Sequence, residues 1–197
     1  FSINATTGAL RFITAPNYEL PTDTGSNNVY DVTVQVSDGF LSDTQAIAVT
    51  VTPVNDNTPV ISSNGGGATA AISLAENTLP VTTVTASDAD LPTSTLTYAI
   101  IGGADSARFS LNSSTGQLSF VAAPNYEAPS DAGANNVYDV TVQVSDGTYT
   151  DTQAIAVTVT PVNDNTPVIS SNGGGATASV GVVEHTTAVT TVTATDA

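Results

Sequence analysis

Asp88 and Asp90 stand on either side of Ala89 and form the simplest constellation in this chain that could do chemistry. Two carboxylates a few ångströms apart can serve as acid and base on a glycosidic bond, or both can offer hard oxygens to a cation. The sequence argues against catalysis. Both acids fall in one turn, Asp88 has a counterpart at Asp196 in the following repeat, and a chain without Trp implies no aromatic sugar cleft. A serine nucleophile has no support either, because His185 is the single histidine and no Gly-x-Ser-x-Gly elbow occurs.

The other acidic residues also gather at the ends of apolar runs: Glu19, Asp38, Asp56, Glu76, Glu127, Asp146, Asp164, Glu184 and Asp196. Eighteen acidic residues face only Arg11 and Arg108, for a formal net charge of −16. Nucleic acid and anionic membrane are thereby disfavoured as partners, since both require clustered cations. Calcium takes about six to eight oxygens from carboxylates, Asn amides and backbone carbonyls, which is the inventory here. Zinc or copper would want thiolates or several imidazoles, and the chain has no Cys. Two plainer readings stay open: Asp and Asn that only close turns, and acidity that only maintains solubility.

The elements that must position these acids follow from a repeat. VNDNTPVISSNGGGATA begins at Val54 and again at Val162, and the same offset relates every comparable segment without insertion or deletion. Most of the comparable positions are identical, and divergence concentrates where AISLAENTLP faces SVGVVEHTTA. A unit this long matches one β-sandwich and exceeds a solenoid repeat. The expected organisation is 1–54 as the C-terminal part of one repeat, 55–161 as a complete repeat and 162–197 as the N-terminal part of a third. Phe1 does not open a leader and no apolar run approaches the roughly 20 residues of a membrane span, so an interior segment with no direct membrane insertion is expected.

Within the unit, Tyr138, Val140, Val142 and Val144 alternate with Asp139, Thr141, Gln143 and Ser145, the period of a half-buried strand. The same alternation marks Ile72 and Leu74; Leu96, Tyr98 and Ile100; Leu118 and Phe120; and Ile155, Val157 and Val159. Turn residues such as Ser114-Thr115-Gly116 and Ser145-Asp146-Gly147 separate the runs. About seven strands per unit predict an all-β fold of tandem Greek-key, immunoglobulin-like sandwiches of two packed sheets. The glycines at 65–67 lack a following Gly-Lys-Ser/Thr and a helix, and read as a loop. Strand ends of a sandwich meet at its poles, so the acids would converge on the linkers between successive units.

NDN followed by Thr-Pro, the DAD turn, the AEN strand, a strand ending in SDG, and F-S-L-N-x-x-T-G together resemble the cadherin repeat, and more closely the cadherin-like repeats of very large bacterial surface proteins. The resemblance covers the whole chain. It implies calcium ions, usually three, between successive repeats, stiffening the array. It places Glu19, Asn55, Asp56 and Asn57 upstream of the first junction and Asp88, Asp90 and Asp146 downstream of it. Glu76, Glu127, Asn163, Asp164, Asn165 and Asp196 would serve the second junction, and Asp38 and Glu184 would serve junctions with further repeats. Asn17 and Asn125 stand where an Asp is usual, as do Pro53 and Pro161, which predicts fewer or weaker ions, two rather than three per junction.

The function so implied is a non-enzymatic, calcium-stiffened structural or adhesive array, a rod, stalk or filament, outside or on the surface of a bacterial cell. Its partners would be neighbouring repeats of the same chain, with lateral or homopolymeric self-assembly through sheet edges. The Trp by which animal cadherins dock is missing. The competing expectation is a carbohydrate-binding or spacer module beside a secreted enzyme. That module would need an aromatic platform, whereas Tyr18, Tyr30, Tyr126 and Tyr138 suit core or linker packing and Tyr149 alone sits at an exposed hairpin.

Overall fold

The computed structural model describes residues 1–196. Four strands come first: β1 (Ser2–Ile3), β2 (Leu10–Arg11), β3 (Val29–Ser37) and β4 (Ser42–Thr50). Nine follow: β5 (Val60–Ile61), β6 (Thr69–Ala75), β7 (Pro80–Thr83), β8 (Ala86–Ser87), β9 (Thr97–Gly102), β10 (Phe109–Leu111), β11 (Gln117–Phe120), β12 (Val137–Ser145) and β13 (Thr150–Thr160). β14 (Val168–Ile169) and β15 (Ala194–Thr195) complete the order. The only helical pieces among the described residues are three single 3-10 turns, at Ser63–Gly65, Ser106–Arg108 and Ser171–Gly173.

Seven strands build the central sandwich, as the sequence predicts. One sheet has the order β10-β11-β7 and the other β6-β13-β12-β9, while β5 and β8 pair as a short ribbon beside them. β12 and β13 form a hairpin in register from Val137↔Thr158 to Ser145↔Thr150. β6 crosses to lie parallel to β13, from Thr69↔Ala154 to Ala75↔Thr160. Alternation then delivers one side of each strand to a shared core of Ile61, Val84, Phe109, Leu118, Phe120, Tyr138, Val140, Val142, Val144, Ile155, Val157 and Val159. Burial of each such side chain stabilises the fold by about 1.5–3 kcal/mol. The expected inward residues of β12 and β13 are all fully buried. Ile72, Leu74, Leu96, Tyr98 and Ile100 pack at the edge of this core.

Polar clamps fix what apolar packing cannot. Gln153, buried in the core, donates to Gly67 O at 2.8 Å and Ser63 O at 3.3 Å and accepts from Asn64 Nδ2 at 3.2 Å. Thr82 Oγ1 donates to Asn64 Oδ1 at 3.0 Å. The glycine-rich segment is therefore a loop sewn to the sandwich by its own carbonyls. Gly116 has φ +70°, and a Cβ there would collide with Val84 O. Only glycine lets the β10–β11 turn approach the end of β7 so closely.

The flanking segments repeat these elements in part. β3 and β4 keep the register of β12 and β13, but among the described residues only the two-stranded β1-β2 ribbon lies against them, with Phe12 edge-on to Tyr30, and Val36 is 70% exposed where its equivalent Val144 is 0%. β14 pairs with β15 as β5 does with β8. Residues 177–183, which align with β6, form no strand. β6 owes its strand conformation to the parallel ladder along β13, and 177–183 have no such partner among the described residues.

Candidate functional site

At the junction between the first and second units, Asp88, Asp90 and Asp146 bring carboxylate oxygens within 4.8 Å of one another. Asp88 and Asp90 come from the turn after β8, and Asp146 from the β12–β13 hairpin. Asp90 donates its N–H to Asp88 Oδ1 at 3.0 Å, which orients both acids in one turn. Asp146 Oδ1 accepts from Thr148 N and Tyr149 N, each at 2.6 Å, which turns its other oxygen away from the hairpin.

The linker completes this cluster. Asn57 Nδ2 donates to Asp90 Oδ1 at 2.7 Å, and the N–H groups of Asp56 and Asn57 approach the same oxygen at 3.3 and 3.2 Å. The Asn57 amide, with these backbone donors, holds Asp90 below the usual carboxylate range although burial acts upward. For Asp146 burial also acts upward, and Thr148, Tyr149 and the Asn55 side chain outweigh it. Glu19 reaches across from the first unit, where its Oε1 accepts from Leu91 N at 3.4 Å.

A hard cation fits this set. Asp88 Oδ2 and Asp146 Oδ2 are buried and have no hydrogen-bond partner among the described residues. Asp90 is 3% exposed. Buried carboxylate oxygens without a partner are costly, and a bound cation is one of the few groups that relieves the cost. Three carboxylates with an Asn amide at hand are an all-oxygen donor set suited to calcium.

At the second junction Glu76, Glu127 and Asp164 form a corresponding cluster, again with oxygens within 4.8 Å. Glu76, 2% exposed at the end of β6, accepts from Tyr126 N at 2.7 Å and Val162 N at 2.8 Å. Those two backbone donors, and a hydrogen bond with Glu127, hold its carboxyl below the usual range against burial. Asn165 Nδ2 donates to Asp164 Oδ1 at 3.2 Å. Asn77 Nδ2 donates to Asp164 Oδ2 at 2.6 Å. Nothing in the spacing of acids singles out Asn77; its one sequence signal is its place beside Glu76 in the AEN strand.

The structure thus gathers Glu19, Asn55, Asp56, Asn57, Asp88, Asp90 and Asp146 at one end of the central sandwich and Glu76, Glu127, Asp164 and Asn165 at the other. It does not bring Asn163, Asp196, Asp38 or Glu184 into either cluster. Asp196 is exposed beyond β15. Asp38 Oδ1 caps its own turn, accepting from Phe40 N at 2.9 Å and Leu41 N at 2.8 Å. Glu184 lies 3.7 Å from His185 on the surface. Of the tyrosines, Tyr138 is core while Tyr126 and Tyr149 are more than a third exposed and belong to different loops.

Comparison with known proteins bears on the fold. Residues 70–161 match the family of the cadherin domain. The chain is 31% identical over 180 residues to human protocadherin Fat 1, covering 87% of this chain and 4% of that protein. It is 36% identical over 138 residues to protein dachsous of Drosophila melanogaster, covering 66% of this chain and 4% of that one. Among solved structures, the protocadherin gammaB7 EC3-6 cis-dimer is 26% identical with a TM-score of 0.59, over 86% of this chain and 42% of that one. Human CDH23 EC21-23 shares the fold with a TM-score of 0.66 at 24% identity, over 98% of this chain and 64% of that one. The chain therefore spans only a small part of its full-length relatives. Over residues 70–161 it matches the cadherin domain, and it shares the β-sandwich fold of the solved protocadherin repeats.

Proposed function

We propose that calcium ions bind at both acidic junctions and fix the orientation of successive repeats, making the array a stiff extracellular structural or adhesive element. Residues 55–161 are the complete repeat in this reading, with 1–54 and 162–197 belonging to its neighbours. Glu19, Asn55, Asp56, Asn57, Asp88, Asp90 and Asp146 would hold ions at the first junction. Glu76, Glu127, Asp164 and Asn165 would do so at the second, with Asn163 and Asp196 joining when the next repeat closes over them. Asp38 and Glu184 would face repeats beyond this segment.

The observation that carries the reading is the pair of buried, unpartnered oxygens, Asp88 Oδ2 and Asp146 Oδ2, beside Asp90. The usual third ion has less to hold it. Asn17 Oδ1 accepts from Glu19 N at 2.7 Å and Leu20 N at 3.0 Å, and Asn125 Oδ1 accepts from Ala128 N at 2.7 Å, so both cap turns. Two ions per junction follow from that loss of charge. An acidic surface free of Lys, repeated at a constant spacing, suits a cell-surface array of the bacterial kind whose partners are its own repeats and, through sheet edges, neighbouring chains.

Calorimetric titration of the chain with calcium tests this. Saturable binding at millimolar or lower calcium, abolished at the first junction by Asp88→Ala with Asp90→Ala, is expected. No heat of binding by the unsubstituted chain would leave the acids as turn caps and overturn the proposal.

A further inference from the structure

We infer that Asn77 is a positioning residue for the second calcium junction, holding Asp164 in place before any ion arrives; this rests on the calcium reading above. Asp164 belongs to the linker, and its other donor, Asn165 Nδ2, is a neighbour in the same linker that moves with it. Asn77 belongs to the sandwich. Its N–H donates to Pro124 O at 2.9 Å, tying the end of β6 to the loop that carries Glu127. Its amide then reaches Asp164 Oδ2 at 2.6 Å across 87 residues of sequence.

One side chain therefore spans the two halves of the ligand set. A carboxylate oxygen accepts more than one bond, so the Asn77 donor leaves Asp164 Oδ2 able to face a cation as well. A linker acid already docked beside Glu76 and Glu127 spares the ion the cost of ordering it.

The backbone explains the residue type. Asn77 has φ +62°, a left-handed conformation that Asn and Gly tolerate better than other residues. His185 stands at the equivalent position in the next unit, also with positive φ, and has no amide to offer. The exchange lies in the one stretch where the units diverge most, so the device belongs to particular junctions rather than to all.

Asn77→Gly separates the amide from the backbone, because glycine keeps the same positive φ without strain. Calcium titrations would compare this variant with a parent that keeps Asn77, both carrying Asp88→Ala and Asp90→Ala to silence the first junction. Loss of a hydrogen-bonding partner behind a metal ligand costs about tenfold or more in affinity. We expect that loss in Asn77→Gly and in Asn77→His, with an unchanged circular dichroism spectrum in calcium-free buffer. Equal affinity in Asn77→Gly and its parent overturns the positioning role while leaving the calcium reading intact. A parent that binds no calcium, and in which Glu76→Gln also changes nothing, overturns both.

Discussion

Asp38 and Asp146 occupy the same hairpin turn in successive repeats and bind their backbones in the same way, yet only Asp146 joins a carboxylate cluster. In each, Oδ1 accepts two N–H groups from the turn, so the local sequence SDG is satisfied without any metal. The difference lies in the second oxygen. Asp146 Oδ2 is buried beside Asp88 and Asp90, acids of its own repeat, and has no partner among the described residues.

That difference predicts opposite results for one substitution made twice. Asp146→Asn keeps an acceptor for Thr148 and Tyr149 but removes a negative ligand, so calcium affinity at the first junction falls by about tenfold or more. Asp38→Asn leaves both calcium isotherms unchanged. Calorimetry on the two single variants checks this, and equal effects would mean that Asp146 is a turn cap only.

The contrast also shows what was legible in the sequence. Alternation at Tyr138, Val140, Val142 and Val144 marks the inward face of β12, because one buried face imposes a period of two. The acids at strand ends were legible as candidates, but the same signal marked Asp38, Glu184 and Asp196, which join neither cluster. Asn77 was not legible, since an amide near acids has no pattern of its own and its partner lies 87 residues away. The failure of residues 177–183 to form a strand was hidden for a related reason. Their sequence is as apolar as that of β6, but a strand exists only where a ladder partner is present. Tyr126, whose pattern suits core or linker, is more than a third exposed, and the part it gives the junction is its backbone N–H on Glu76.

Calcium removal should loosen the junctions and spare the sandwich. The core of the central unit is closed by apolar side chains that belong to neither cluster, whereas the junctions concentrate like charge that a cation would offset. Small-angle scattering should show a narrow distribution of dimensions with calcium and a broader one with chelator. Limited proteolysis should then cut first near Val162 to Asn165, with the fragment containing β6 to β13 persisting. The same dimensions and the same cleavage rate in both conditions would refute stiffening.

A pH dependence independent of calcium comes from Asp131. This carboxylate is 7% exposed, and burial alone would raise its pKa. Backbone N–H groups of Asn135, Asn136 and Gly133 at 2.9, 3.0 and 3.1 Å outweigh burial and lower it. A folded-state pKa below the unfolded value of about 4 means that the unfolded chain binds the extra proton. The stabilisation is therefore complete above that unfolded value and is lost as pH falls through the lowered folded one. Asp131→Asn should cost about 1–3 kcal/mol at neutral pH, the penalty of stranding buried donors. Urea midpoints in calcium-free buffer should show the gap between variant and parent closing below about pH 4. A gap that does not change with pH would assign the loss to packing instead.

Two equivalent glycines distinguish the central sandwich from the first unit. Gly8 and Gly116 hold the same place in successive repeats, with φ +69° and +70°, so the conformational cost of a side chain is the same at both. Only the surroundings differ. A Cβ on Gly8 meets nothing within 4 Å, whereas one on Gly116 would run into Val84 O, so close that backbone must move. Gly8→Ala should therefore cost about 1 kcal/mol, the left-handed penalty alone. Gly116→Ala adds displacement of the β10–β11 turn from β7, and its loss should exceed that of Gly8→Ala by about 2 kcal/mol or more. Urea unfolding followed by the near-ultraviolet tyrosine signal compares the two variants, and equal losses would mean that the turn does not pack against Val84 in solution.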